Sequence, residues 1–308
     1  MRIALAPTPM TDPSLRLAAQ MGVTDIVGRH PASHGQSLEQ MRRRVESFGM
    51  RLSVIEGYIP HDQIVHGKAG RDDQIDRFIA LLRDMAHQQI PVCCYNFMPD
   101  DEWSRTAIDT PHRGGALVTS FDVDLVDDAP GPGGPIAEAQ MWENLEYFLR
   151  RIVPAAENEG IKLAMHPDDP PMSPLRRQDR IMCCVEDFDR LLQLASSPAS
   201  GICFCQGTFS EMGVDIPQTI RHFAGRIHYA HFRDVQGTVP RFVETFHDNG
   251  QTDMAAAMRA YKDIGFDGPA RPDHVPVVEG DSENAAGYNM TGRLFAVGYM
   301  RGLMDAIG

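Results

Sequence analysis

The sequence predicts a (β/α)8 TIM barrel, and three observations carry that prediction. Short apolar β-type runs alternate with amphipathic helical stretches from end to end, the pattern of βα units around a parallel sheet. Four of the later runs stop on metal-ligating residue types: Lys162–His166, Ile202–Cys205, Ile227–His231 and Pro269–Asp273. The carboxyl ends of parallel barrel strands open on one face, so such residues converge on one point. The chain has 308 residues, long for an ordinary domain and normal for one barrel, so a single domain over 1–308 is expected.

In chain order, strands are expected at Arg2–Ala6, Thr24–Val27, Arg51–Glu56, Pro91–Asn96, Ile161–His166, Gly201–Cys205, Arg226–His231 and Gly268–Asp273. Between them, Arg71–Gln88, Ala137–Glu159 and Asp253–Ile264 have clear helical periodicity. Phe48-Gly49, Glu159-Gly160 and Ile264-Gly265 read as helix stops, each followed directly by a strand. Two insertions interrupt the rhythm after strands four and five. Phe97–Pro135 is rich in Asp, Gly and Pro, and Pro167–Met182 follows the fifth strand. Both are expected to be long βα loops on the open face, where such loops form lids or substrate walls.

Composition narrows the function. A formal net charge of −13 argues against a nucleic-acid partner, which needs a basic footprint. No apolar stretch reaches the length of a membrane span, and the apolar part of the amino terminus is too short for a signal peptide. The six cysteines fall at Cys93-Cys94, Cys183-Cys184 and Cys203/Cys205, which is neither a disulfide framework nor a zinc ribbon. A reduced, cytoplasmic protein is expected.

The strand ends then supply the chemistry. His166, Cys205, His231 and Asp273 offer two imidazoles, a thiolate and a carboxylate, a set that suits Mn²⁺, Fe²⁺, Co²⁺ or Zn²⁺ better than Mg²⁺ or Ca²⁺. Taken singly, a structural histidine or a buried cysteine is the commoner role. Four ligand residues on consecutive strand ends outweigh that. His228 lies three residues before His231 and faces the other side of the strand. Arg105, Arg233 and Arg271 are candidate partners for a substrate carboxylate, with Glu56 and Asn96 as further substrate contacts. His274 and Tyr288 are candidate proton carriers beside the metal.

Specific strings resemble the mannonate dehydratases of sugar-acid catabolism. They are Cys94-Tyr-Asn-Phe-Met-Pro99 with Trp103-Ser-Arg-Thr106, His166-Pro-Asp, Phe204-Cys205 with Gly207, His231-Phe-Arg, Arg271-Pro-Asp-His274 with Gly287-Tyr288, and the tail beginning Gly292-Arg-Leu-Phe. The order of these motifs holds from about residue 51 to the end. The resemblance implies a metal-dependent barrel of the xylose-isomerase-like type. It implies dehydration of D-mannonate to 2-keto-3-deoxy-D-gluconate, usually with Mn²⁺. It also implies His166, Cys205, His231 and Asp273 as ligands, and His274 and Tyr288 as the acid–base pair. Tyr288 is expected to take the C2 proton and His274 to serve the leaving hydroxyl, with the reverse as the alternative.

Departures lie in the amino-terminal region, in Glu56-Gly-Tyr-Ile-Pro-His61 and in Cys205-Gln-Gly-Thr-Phe-Ser, positions that shape the substrate pocket. Two other readings stand beside the dehydratase. A sugar isomerase or epimerase on the same barrel typically uses a carboxylate-rich metal set, and the cysteine counts against it. A catalytically silent sugar-acid-binding barrel has no need of His274 and Tyr288. A small sugar acid is the expected partner, and the apolar closing helix permits a homodimer.

Overall fold

Eight parallel strands close the barrel, and four more form a separate antiparallel sheet at its open end. The computed structural model describes residues 1–100, 103–127, 129–281 and 286–308. Asp101, Glu102 and Asp128 of the first insertion, and Ala285 just before the Tyr288 motif, lie outside the described residues. The barrel strands are β1 (Arg2–Leu5), β2 (Asp25–Arg29), β3 (Arg51–Glu56), β4 (Val92–Tyr95), β7 (Lys162–Met165), β8 (Ser200–Cys205), β9 (Ile227–Phe232) and β12 (Pro269–Pro272). Each expected strand is present within one or two residues of its expected limits. Closure runs β1-β12-β9-β8-β7-β4-β3-β2, with β1 paired in parallel to both β2 and β12.

Local sequence explains the alternation. β8 and β9 are buried along their whole length, as strands covered on both faces must be. The helices Arg71–His87, Glu138–Glu159 and Met254–Asp263 match their periodicity. Gly49, Gly160 and Gly265 take positive φ of 76°, 68° and 67°, a conformation that ends a helix with no Cβ penalty. Two apolar layers result. A large one packs the helices on the outside of the barrel. A small one fills the inside with Ala4, Ala6, Val27, Val54, Val92, Cys94, Ala164, Cys203 and Tyr229.

The first insertion is not only loop, and this corrects the expectation. It contains β5 (Ala107–Pro111) and β6 (Leu117–Asp122), which pair with each other. A hairpin after β9, β10 (Val235–Thr238) and β11 (Arg241–Glu244), joins β6 and completes the sheet. Its strands escaped the sequence reading because three of the four residues of β10 are exposed and β5 shows no buried face. The second insertion is loop, with one isolated bridge between Leu175 and Gln178. No helix among the described residues is long and apolar enough to cross a membrane. All six cysteines are free.

His228 settles which histidine of β9 is structural. It is 5% exposed, and its Nδ1 donates to the Leu163 carbonyl at 2.7 Å. It packs where Gly201 leaves room, since a Cβ there would collide with the ring. Burial pushes its pKa down to about 4 from an ordinary 6.5. The unfolded chain therefore takes up the proton first. This contribution to stability is complete above pH 6.5 and drains away as pH falls toward 4. The interval corresponds to roughly 3 kcal/mol. His228→Asn should show a shallower loss of stability over that interval in urea titrations; identical slopes would show that the ring does not titrate there.

Candidate active site

The period of two along a strand builds the site directly from the barrel interior. On six strands, two residues beyond the last interior side chain lies a side chain at the mouth. Val27 is followed by Arg29, Val54 by Glu56, Cys94 by Asn96, Ala164 by His166, Cys203 by Cys205 and Tyr229 by His231. On β12 the same step leads from Arg271 to Asp273. Register holds these at one height: Arg29 faces Glu56, Cys205 faces His231, and Arg271 faces His231. A cavity of ≈ 70 Å³ sits above them, with Trp103, Asp169, His274 and Tyr288 also on its wall.

His166, Cys205 and His231 bring ligand atoms within 4.8 Å of one another. His166 Nδ1 donates to the Pro167 carbonyl at 2.7 Å, which leaves Nε2 as a lone pair facing His231 Nδ1 at 3.2 Å. Asp273 Oδ2 lies 3.3 Å from the same Nδ1 and 3.9 Å from Cys205 Sγ. Burial by itself raises the Cys205 thiol, but the Arg233 guanidinium and the His166 ring overrule it and hold the thiol well below its ordinary value. Thr208 also donates to the sulfur at 3.0 Å. Two imidazoles, a stabilised thiolate and a carboxylate turned toward each other make a donor set that fits one borderline divalent cation.

Glu56 backs this group. Its carboxylate accepts from Arg271 at 2.6 and 3.0 Å and from the Tyr229 hydroxyl at 2.7 Å. It also lies 3.4 Å from His231 Nε2. A carboxylate behind a ligating histidine fixes the ring and its tautomer. Glu56 places a negative charge beside the His231 ring, and its oxygens are already engaged by Arg271 and Tyr229.

A second chain of groups reaches the cavity from the antiparallel sheet. Glu244 on β11 lies 2.6 Å from His274 Nδ1, and His274 Nε2 lies 3.0 Å from the Tyr288 hydroxyl. Burial would raise the Glu244 carboxyl, but His274, Arg233 and Arg105 hold it below the usual carboxylate range. As an anion it can only accept, so Nδ1–H donates to it, and a neutral His274 ring would present the Nε2 lone pair to the Tyr288 hydroxyl. Burial pushes the Tyr288 phenol up. Trp103 covers the pair, its ring centroid 5.1 Å from His274 and 6.2 Å from Tyr288.

The structure brings together His166, Cys205, His231, Asp273, His274, Tyr288, Arg271, Glu56 and Asn96. It does not place Arg105 and Arg233 on the cavity wall. Both have side chains 1% exposed and lie among Asp169, Glu211 and Glu244. Their guanidinium groups lie off the cavity wall and are paired with those carboxylates. Gly207 permits this, since a Cβ there would collide with the Arg233 side chain.

Sequence reasoning missed Arg29, Asp169 and Glu244, and gave Trp103 no role. Arg29 ends a strand as the ligands do, and Asp169 sits in the Pro-flanked turn after His166, so both left a signal. Glu244 left none. A larger cavity of ≈ 320 Å³ adjoins the first, sharing Asn96 and Met98 and lined also by Tyr58, His61 and Lys68.

Comparison with known proteins adds independent information. The model of a family described as D-mannonate dehydratase (UxuA) matches residues 12–131 and 134–308. Mannonate dehydratase 2 of Halalkalibacterium halodurans is 34% identical, over 87% of this chain and 86% of that protein. The mannonate dehydratase of Oceanobacillus iheyensis is 33% identical, over 88% and 85%. Among solved structures, the mannonate dehydratase from Streptococcus suis serotype 2 aligns with a TM-score of 0.92 at 30% identity, over 100% of this chain and 93% of that one. An L-ribulose 3-epimerase aligns with a TM-score of 0.64 at 13% identity, which is a likeness of fold alone.

Proposed function

The chain belongs to the D-mannonate dehydratase family and is a hydro-lyase; from that premise we propose that it converts D-mannonate to 2-keto-3-deoxy-D-gluconate with one divalent cation. The observation that carries the reading is convergence. His166, His231, Asp273 and the bonded pair His274–Tyr288 line one small cavity, and Cys205 lies behind its wall with its sulfur among the same donors. Held by those four residues, a divalent cation, Mn²⁺ foremost and Fe²⁺, Co²⁺ or Zn²⁺ by donor type, supplies Lewis-acid charge beside the substrate carboxylate.

The rest falls to side chains. Arg29 and Arg271 on the wall face the carboxylate end, and Asn96 stands where the small cavity meets the larger one. The hydroxylated chain of a hexonate extends from the first into the second, past Tyr58 and His61. Those two belong to the stretch that departs from the family pattern, so they set the choice of sugar acid.

The hydrogen-bonding order favours the alternative assignment of the proton carriers. His274 Nε2 has a lone pair and an anion behind the ring, so His274 takes the C2 proton. Tyr288 still holds its proton and gives it to the departing C3 hydroxyl, and water leaves. The His274 proton then crosses the 3.0 Å bond to Tyr288. The pair is reset without a proton from outside.

The test is turnover of a panel of aldonic acids by metal-stripped protein resupplied with Mn²⁺, with detection of 2-keto-3-deoxy acids. Product from D-mannonate supports the whole reading. Product from another acid alone moves the specificity and keeps the chemistry. No product, with the cation shown to be bound, removes the dehydratase reading for this chain.

A further inference from the structure

Arg293 lies in the first turn of the closing helix Met290–Ile307 and is 1% exposed. Among the described residues, none of its three guanidinium nitrogens has a hydrogen-bond partner. A buried arginine is ordinarily paired, because stripping its water without compensation is costly. Among the surrounding charges only the Asp273 carboxylate favours its cationic form, and it ranks behind the opposing effects. Arg271 and Arg29 lie near it and repel. What it does meet is an aromatic ring: its guanidinium carbon is 5.5 Å from the centroid of Tyr288. Arg293 is absent from the cavity wall, so it stands behind the phenol rather than beside the substrate.

The other groups facing Tyr288 are already engaged. Arg271 is paired with Glu56 and Asp273 at 2.6 and 2.5 Å. Arg29 is paired with Glu56 at 3.5 Å. His274 is held by Glu244 at 2.6 Å. Asp273 and Glu56 are anions and oppose charge on the phenol. When the Tyr288 O–H bond breaks, the proton goes to the C3 oxygen and that C–O bond breaks. The negative charge left on Tyr288 then faces the His274 imidazolium, whose charge is shared with Glu244, until His274 returns its proton. Among the described residues Arg293 is the buried cation near Tyr288 with no hydrogen-bonded or ion-paired partner.

We propose that Arg293 is a positioning residue whose unpaired charge, seated behind the Tyr288 ring, stabilises that residue after it gives up its proton. The inference rests on Tyr288 being the proton donor. A cation desolvated against an aromatic ring exerts far more than an exposed one, and an ionised ring strengthens the attraction further.

The experiment compares Arg293→Met, Arg293→Lys and Tyr288→Phe on D-mannonate and on its 3-deoxy-3-fluoro analogue, whose fluoride leaves without a proton donor. Arg293→Met should lower kcat on D-mannonate roughly ten- to a hundredfold with KM little changed. It should leave fluoride release within about threefold of the parent, as general-acid help is then not needed. Arg293→Lys should recover most of the loss. Removing an unpaired buried charge is not expected to harm folding, which a thermal melt checks. Equal losses on both substrates, or no loss on either, would overturn the inference. If Tyr288→Phe is selectively impaired on D-mannonate and Arg293→Met is not, only Arg293 fails. If Tyr288→Phe dehydrates D-mannonate at the parent rate, the proton-donor reading fails first.

Discussion

His274→Asn should abolish turnover while leaving the bound cation in place. The ring is 3.0 Å from Tyr288 and 2.6 Å from Glu244 and is not one of the converging donors. Loss of a positioned base lowers the rate by about 10²–10⁴. Metal content by plasma emission should match the parent. A parallel fall in metal and activity would mean that His274 helps hold the cation. Exchange of the C2 hydrogen with deuterated solvent separates the two proton carriers. His274→Asn should lose exchange and dehydration together, whereas Tyr288→Phe should keep exchange and lose dehydration. The opposite pattern would restore Tyr288 as the base.

Cys205→Ser should act on the cation instead. A serine hydroxyl is a poor ligand, and the Arg233 guanidinium beside it would lose its anionic neighbour. Removing groups that only orient ligands weakens metal binding about 10–100-fold, so losing a ligand should exceed about a hundredfold. Cys203→Ser is the control, two residues down the same strand and buried in the interior layer. It should leave metal affinity unchanged. Full occupancy in Cys205→Ser at low cation concentration would show the thiol to be packing alone.

Much of the site was legible because it is written with a short period. Tyr229 and His231, or Cys203 and Cys205, differ by one step of the strand repeat, and that step moves a side chain from the interior to the mouth. The same parity excluded His228, which the structure ties to the Leu163 carbonyl. The helix stops at Gly49, Gly160 and Gly265 were equally local. The antiparallel sheet was not legible, because its edge strands lie largely in solvent and carry little hydrophobic alternation.

The arginines divide in the same way. Arg105 reads as a rim cation in sequence, yet it pairs with Asp169, 64 positions away, and with Glu244, 139 positions away. Arg233 is drawn into the same buried group. Arg271, on a strand and in phase with Asp273, stayed on the cavity wall. Arg293 gave no sign at all, since an unpaired guanidinium differs from a paired one only in what surrounds it.

The sequence by itself determined the barrel and the donors at its strand ends, because backbone periodicity places them, while His274 and Tyr288 were marked out by residue type and by the resemblance. The tertiary structure alone decided that Glu244 bonds His274, that Arg105 and Arg233 pair with distant carboxylates, and that among the described residues Arg293 has no hydrogen-bond partner beside the Tyr288 ring. The physical reason is range. A strand fixes direction within two residues, whereas the pairing of buried charges depends on which distant segments the fold brings together.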